Sequence, residues 1–394
     1  MVYRAMGIMS GSSLDGLDIA FIEFQEVSGK WTYKVKAAAC HSYSSEWTEK
    51  LRSATSLDAL QYQLLHTHYG HYLGEQVNRF IQEHELQYQV QLIASHGHTT
   101  FHLPAQKMTA QLGDGSAIAA TTGINVVSDL RAMDIALGGQ GAPIVPIGEK
   151  LLWPDYNLLL NLGGIANLSF SNEDKYIAFD ICPANRVLNM LAHEADKKFD
   201  EDGAMARKGS VQNTLLGNLN DLEYYKQPYP KSLANDFGTG VLYRMIQDAR
   251  YELQDALRTY VEHIAIQISN AIQLAVTNSE LPLSLKLQGT GPTPPSAEAS
   301  GGKPDLPTGQ AGFRLLITGG GVHNTFLIER LRDLISHLDI EIIIPNDELI
   351  DYKEAIVMAL IGVLRWREEN NVISSVTGAS RNSIGGAVWM GQEA

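Results

Sequence analysis

The chain has 394 residues, 44% of them hydrophobic and 19% charged, which is ordinary for a soluble protein and long enough for two lobes with a core in each. A net charge of −14 excludes a broad nucleic-acid surface, because phosphate binding needs clustered Lys and Arg. Two cysteines, Cys40 and Cys182, exclude a disulfide framework and suit a reducing cytosol.

No stretch approaches the roughly 20 continuous apolar residues of a membrane helix. The opening MVYRAMGIMSG lacks the basic and apolar succession of a secretory signal, so a cytoplasmic protein is expected.

In chain order, residues 4–9 and 17–24 read as apolar strands joined by a small-residue turn. Gly11, Ser12, Ser13 and Gly16 let backbone amides approach an anion, and Asp15 and Asp18 offer a metal its carboxylates. A nucleotide triphosphate needs both together. An ordinary hairpin turn has the same composition.

Further strands are expected at 31–39, 90–95, 124–128, 157–162, 165–170, 176–180, 313–318 and 340–344. A helix over 57–81 has the stripe Leu57, Leu60, Leu64, Tyr69, Leu73, Val77, Phe80 and Ile81, and another covers 253–276. Strands alternating with long helices indicate an α/β architecture. Two more glycine turns follow apolar strands, at Gly163 and Gly164 and at Gly319, Gly320 and Gly321. Three such turns suit a two-lobed nucleotide-binding fold, and no G-x-G-x-x-G supports a Rossmann domain. Residues 288–312, rich in Pro, Gly, Ser and Thr, read as a flexible surface insertion.

Four constellations can carry chemistry. His96, His98 and His102 lack the spacing of a zinc site and read as a loop lining a polar pocket. His66, His68 and His71 suit a solvated helix face. Arg131, between Asp129 and Asp134, suits either a small acidic ligand or a surface salt bridge. Asp180 reads equally as a general base at a strand end or as the cap of the next helix. Glu354, after Lys353, sits where the helix dipole alone explains an acid.

The motifs GIMSGSSLDGLD, SHGHTTFH, QLGDGSAIA, ALGGQGAP, NLGGIANLSF, FDICPAN, FDEDGAMARKG, TGGGVHN, DYKEA and SVTGAS occur in that order. With them the chain resembles the anhydro-N-acetylmuramic acid kinases, members of the actin/hexokinase/Hsp70-like ATPase superfamily. The resemblance runs from residue 7 to about residue 391, apart from the insertion.

It implies two ribonuclease H-like lobes around an ATP cleft, with lobe I at 1–126 plus 374–394 and lobe II at 127–373. It also implies phosphorylation of 1,6-anhydro-N-acetylmuramic acid by ATP with Mg2+, with water opening the anhydro bridge in the same event. The product is N-acetylmuramic acid 6-phosphate, an intermediate of peptidoglycan recycling, and the expected assembly is a homodimer without nucleic-acid or membrane partners. On this resemblance Gly11, Ser12, Ser13, Leu14, Asp15, Gly16, Leu17 and Asp18 bind phosphates, with Asp15 and Asp18 toward the metal. Gly163, Gly164, Gly319, Gly320 and Gly321 approach the nucleotide. Asp180 is the catalytic base, Glu354 an active-site acid, and His96 and Arg131 belong to the sugar site.

Three departures stand out: Gly-Ser-Ser for Gly-Thr-Ser in the first turn, FDICPAN for FDTGPAN, and Ala234, Asn235 and Asp236 after Lys231-Ser232-Leu233. The alternatives are a non-hydrolytic sugar kinase of the same fold and a degenerate relative that binds ligand without turnover.

Overall fold

The computed structural model describes residues 1–11, 14–172, 175–229, 231–233, 237–278 and 312–392. Ser12, Ser13, Ala234, Asn235, Asp236 and all of the 288–312 segment except Gly312 lie outside the described residues. The chain divides into two units, Met1–Pro154 with Tyr352–Ala394, and Asp155–Asp351.

In the first unit, β1 (Val2–Ser10), β2 (Gly16–Val27) and β3 (Lys30–Ser42) form an antiparallel meander. β4 (Leu92–Ser95) pairs parallel to β1. β5 (His98–Leu103) and β6 (Met108–Leu112) form a separate antiparallel pair. β7 (Asn125–Ser128) continues the main sheet parallel to β4.

In the second unit, β8 (Leu158–Leu162), β9 (Ile165–Asn172) and β10 (Lys175–Pro183) repeat the meander. β11 (Phe313–Thr318) and β12 (Ile340–Ile343) extend β8 in parallel. β13 (Ala387–Trp389) returns to the first unit as an antiparallel edge on β7. The orders are β13-β7-β4-β1-β2-β3 and β10-β9-β8-β11-β12. Each unit thus carries the ribonuclease H-like arrangement, a three-strand meander continued beyond its first strand by two successive parallel strands.

The cores follow from helix stripes laid on these sheets. Helix Leu253–Asn278 buries Leu257, Tyr260, Val261, Ile264, Ile268 and Ile272 completely. Each such large apolar side chain contributes roughly 1.5–3 kcal/mol. The Tyr260 hydroxyl reaches the Pro183 carbonyl at 2.8 Å, so that no buried hydroxyl is left unpaired there.

Helix Ala59–Glu83 buries Leu65, Tyr69, Leu73, Val77 and Phe80. Leu60 and Leu64, expected on that stripe, are exposed. Counting back four residues from Tyr69 reaches Leu65, and the two earlier leucines fall on the outer face.

The observed division differs from boundaries at 126/127 and 373/374. Residues 127–154 and the helix from Tyr352 onward belong to the first unit because they are built into it. Gly7 of β1 lies so close to helix Asp347–Trp366 that a Cβ would overlap the Ala355 carbonyl oxygen. Lys353 Nζ also forms a buried ion pair with Glu149 at 2.5 Å.

Candidate active site

Parallel strands that end level place the residues following them side by side, and in α/β sheets ligands gather at those carboxyl ends. In the second unit Thr318 of β11 is the partner of Asn161 of β8, so the glycine turns after both strands are neighbours. A Cβ on Gly319 would meet Asn161 Oδ1 at 2.6 Å, and one on Gly321 would meet Leu162 Cβ at 2.8 Å and Asn185 Oδ1 at 2.9 Å. Gly319 also has φ +85°, a left-handed conformation that favours glycine. These two glycines are required by the packing of the turns on each other. Gly320 has nothing within 4 Å of a built Cβ, and Gly164 only Arg186 at 3.8 Å, so the open space lies over those two.

Helix Asn185–His193 begins beneath this pair of turns. Its first amides are already used, because Ala184 N and Arg186 N donate to the Gly164 carbonyl and Asn185 N to the Gly163 carbonyl. The Asn185 side chain donates to the Leu162 carbonyl at 3.0 Å. The helix start therefore braces the turn and does not present free amides to an anion.

Asp180 lies within β10, three residues before its end, at a bulge between the pairs Asp180–Asn167 and Cys182–Ala166. It does not cap helix Asn185–His193, which has no side-chain cap. Its Oδ2 accepts from Leu233 N at 2.9 Å and from Ser232 Oγ at 3.1 Å. Oδ1 has no hydrogen-bond partner among the described residues. Burial raises the carboxyl above the ordinary aspartate range, against the pull of those two donors. The Tyr224 hydroxyl holds the Asp180 backbone carbonyl at 2.6 Å. Ser232, Leu233 and Tyr224, the three residues bonded to Asp180, also line a cavity of about 910 Å³ in the second unit.

In the first unit, Gly11, His96 and Arg131 follow β1, β4 and β7, whose parallel pairing brings their carboxyl ends together. His96 N donates to the Ile8 carbonyl at 3.1 Å. Arg131 Nε donates to His96 Nε2 at 2.8 Å, and Nη1 to the Gly141 carbonyl at 2.5 Å. Desolvation draws Arg131 down to about 10 against the stabilising charges of Glu354 and Asp134. His96, grouped by sequence with the sugar contacts, has both ring nitrogens committed to Gly97 and Arg131.

Glu354 keeps an accessible surface, yet desolvation raises its carboxyl, opposed by Lys353 and Arg131 and reinforced by Glu149. Accessibility governs whether a ligand reaches it, and the surrounding protein governs its charge.

Of the first turn, Gly16 is packed so closely that a Cβ would meet Cys40 Sγ at 2.6 Å, and the Leu17 side chain is fully buried. Packing accounts for both. Leu14 is held at φ 59° with its side chain against the core. Asp15 is exposed and Asp18 partly buried. Among the described residues no group of three or more His, Cys, Asp and Glu side chains could hold a metal. Mg2+ suits this donor set, because it usually takes one or two carboxylates and completes its shell with phosphate oxygens and water.

The three histidines do separate work. His98 Nδ1 pairs with Ser10 Oγ at 3.2 Å, and His102 Nδ1 with Thr109 Oγ1 at 3.2 Å. In the 57–81 helix, His66 is no idle solvated residue, since its Nδ1 accepts from Gly113 N at 3.2 Å.

Sequence reasoning missed Asn185, Tyr224 and Thr377, and named Asp134 only as an acid beside Arg131. Only the fixed place of Asn185 in FDICPAN and of Thr377 in SVTGAS could have signalled them.

A family model described as anhydro-N-acetylmuramic acid kinase matches residues 3–291 and 306–391. The anhydro-N-acetylmuramic acid kinase of Sulfurovum sp. (strain NBC37-1) is 31% identical over 399 residues, covering 98% of this chain and 99% of the relative. That of Aliivibrio fischeri (strain ATCC 700601 / ES114) is 29% identical over 400 residues, with 98% and 99% covered. Among solved structures, the activator of the 2-hydroxyisocaproyl-CoA dehydratase from Clostridium difficile with bound ADPNP aligns at 11% identity and a TM-score of 0.43, covering 93% of this chain and 96% of that one. No described helix is long and apolar enough to cross a membrane.

Proposed function

The chain belongs to the anhydro-N-acetylmuramic acid kinase family and is a kinase; on that premise we propose that it phosphorylates 1,6-anhydro-N-acetylmuramic acid at O6 from ATP while water opens the anhydro bridge. The products are N-acetylmuramic acid 6-phosphate and ADP, and the reaction serves peptidoglycan recycling in the cytoplasm. The O6 of the anhydro sugar is an ether oxygen, so it can carry a phosphoryl group only if the C1–O6 bond breaks. The water oxygen bonds to C1, C1–O6 breaks, and O6 bonds to the γ-phosphorus as ADP leaves.

The state of Asp180 carries this reading. One carboxylate oxygen is anchored by Leu233 N and Ser232 Oγ, and the other has no partner among the described residues. Such a group accepts a proton from water at a fixed place, as the base of an inverting glycosidase does. That glycosidase needs a second group to protonate its leaving oxygen, whereas here O6 receives the phosphoryl group, so one base is enough.

Gly164 and Gly320 leave room for nucleotide phosphates close to backbone. Arg131 offers Nη2 to a polar group of the sugar, and Glu354 accepts from a sugar hydroxyl or amide. Asp15 or Asp18 would hold Mg2+, which when bound would neutralise charge on the phosphoryl group.

The test is ADP release with 1,6-anhydro-N-acetylmuramic acid and with the ring-opened sugar, run in 18O-water and quenched early. The expected result is turnover of the anhydro sugar alone, with one 18O at C1. Phosphorylation of the ring-opened sugar only would replace this reading with a non-hydrolytic kinase, and ligand binding with no ADP release would indicate the degenerate relative.

A further inference from the structure

We infer that His96 is a positioning residue for Arg131, a neutral imidazole in the Nδ1–H form whose Nε2 fixes one edge of the guanidinium. The contacts leave only this tautomer. Guanidinium nitrogen can only donate, so His96 Nε2, 2.8 Å from Arg131 Nε, must carry a lone pair. The Gly97 carbonyl can only accept, so His96 Nδ1, 2.8 Å from it, must carry the proton. Burial and the facing charge of Arg131 hold the imidazole pKa down to about 3, with His98 adding to the effect.

The clamp has a second arm. Arg131 Nη1 rests on the Gly141 carbonyl, and Gly141 N donates to Asp134 Oδ2 at 2.7 Å. Both arms depend on glycine. Gly97 has φ +70°, and its Cβ would meet the Leu112 carbonyl oxygen at 2.4 Å; Gly141 has φ +66°. The segments SHGHTTFH and ALGGQGAP are joined by this one guanidinium. Nε and Nη1 are engaged, and Nη2 has no protein partner among the described residues, so it is the end presented to a ligand. A planar guanidinium held on two sides loses little freedom on binding, and that preorganisation strengthens contact with an oxygen ligand.

The inference rests on the proposed reading only in taking the sugar as the ligand of Arg131. Two measurements test it in the full-length protein. The first compares His96→Leu, which removes the acceptor, with His96→Gln, whose Oε1 reaches the place of Nε2. His96→Leu should raise KM for 1,6-anhydro-N-acetylmuramic acid about tenfold or more. KM for ATP should stay within about twofold of wild type, and His96→Gln should recover most of the loss. Wild-type KM for the sugar in His96→Leu overturns the inference. So does an equal loss toward ATP and sugar that His96→Gln does not repair.

The second measurement, 15N NMR of the ring nitrogens, needs no substrate. It should find the proton on Nδ1 and no titration between about pH 5 and 9, where a free imidazole titrates. A proton on Nε2, or a titration in that range, overturns the inference even if the sugar is turned over. If the wild type ignores the anhydro sugar, the functional reading fails while the NMR result still decides the role of His96.

Discussion

Thr377 Oγ1 donates to Asp134 Oδ1 at 2.7 Å, joining residues 243 apart in sequence beneath the Arg131 clamp. The other oxygen, Oδ2, accepts from Gly141 N at 2.7 Å, and Asp134 is fully buried. Thr377→Val keeps the shape and removes the donor, leaving a buried carboxylate oxygen short of a partner. The expected cost is about 1–3 kcal/mol, read as a lower denaturation midpoint. Because the Gly141 carbonyl supports Arg131, KM for the sugar should rise as well. An unchanged midpoint would show that Asp134 draws nothing from this bond.

Asp180→Asn separates catalysis from stability. Burial raises the Asp180 carboxyl above the ordinary aspartate range, so the folded protein holds that proton more tightly than the unfolded chain does. The associated stability is full below the unfolded pKa and is lost as pH rises through the folded value. At neutral pH the ionised side chain is therefore a cost. Asparagine removes it and keeps an acceptor for Leu233 N. Turnover should fall by a factor on the order of 10²–10⁴ while Tm holds or rises. A lower Tm at neutral pH contradicts the desolvation argument, and retained turnover removes Asp180 as the base.

Ser232→Ala tests the same group from outside. The Ser232 hydroxyl bond lowers the Asp180 carboxyl, so its removal moves that group further upward. The base form is lost as pH falls through this value. The acid limb of kcat/KM should therefore move to higher pH in Ser232→Ala, with the alkaline side unchanged. A limb that stays in place, or moves down, assigns it to another group, with Glu354 the first to examine.

The reach of sequence reasoning here follows the physical range of each signal. All ten expected strands exist, because apolar runs bounded by turns are local properties. The β5–β6 pair was not expected because β5, HTTFHL, carries no apolar alternation, and β6, MTAQL, alternates over only five residues with no apolar partner run beside it. Leu60 and Leu64 misled because a helical stripe has no absolute phase until a neighbour sets it. Asp180 and Arg131 were legible as residue types with two readings each, and motif resemblance decided between them. What makes either plausible is three-dimensional: the bulge and Leu233 amide at Asp180, and the level ends of β4 and β7 that join Arg131 to His96. Those relations span 53 and 35 residues, and no periodicity records them.

The third glycine turn gives a prediction with opposite signs at adjacent positions. A methyl on Gly321 would stand 2.8 Å from Leu162 Cβ and 2.9 Å from both the Leu162 carbonyl oxygen and Asn185 Oδ1. The carbonyl belongs to a strand end and cannot swing aside, so Gly321→Ala should cost about 1–3 kcal/mol through overpacking. Gly320 meets nothing within 4 Å, so Gly320→Ala should leave Tm nearly unchanged. If that open space belongs to a nucleotide, the same methyl should weaken ADPNP binding by about tenfold, measured by calorimetry. Unaltered ADPNP affinity in a normally folded Gly320→Ala would place the nucleotide elsewhere. A normal Tm in Gly321→Ala would mean the two turns of the second unit are not locked together by Leu162 and Asn185.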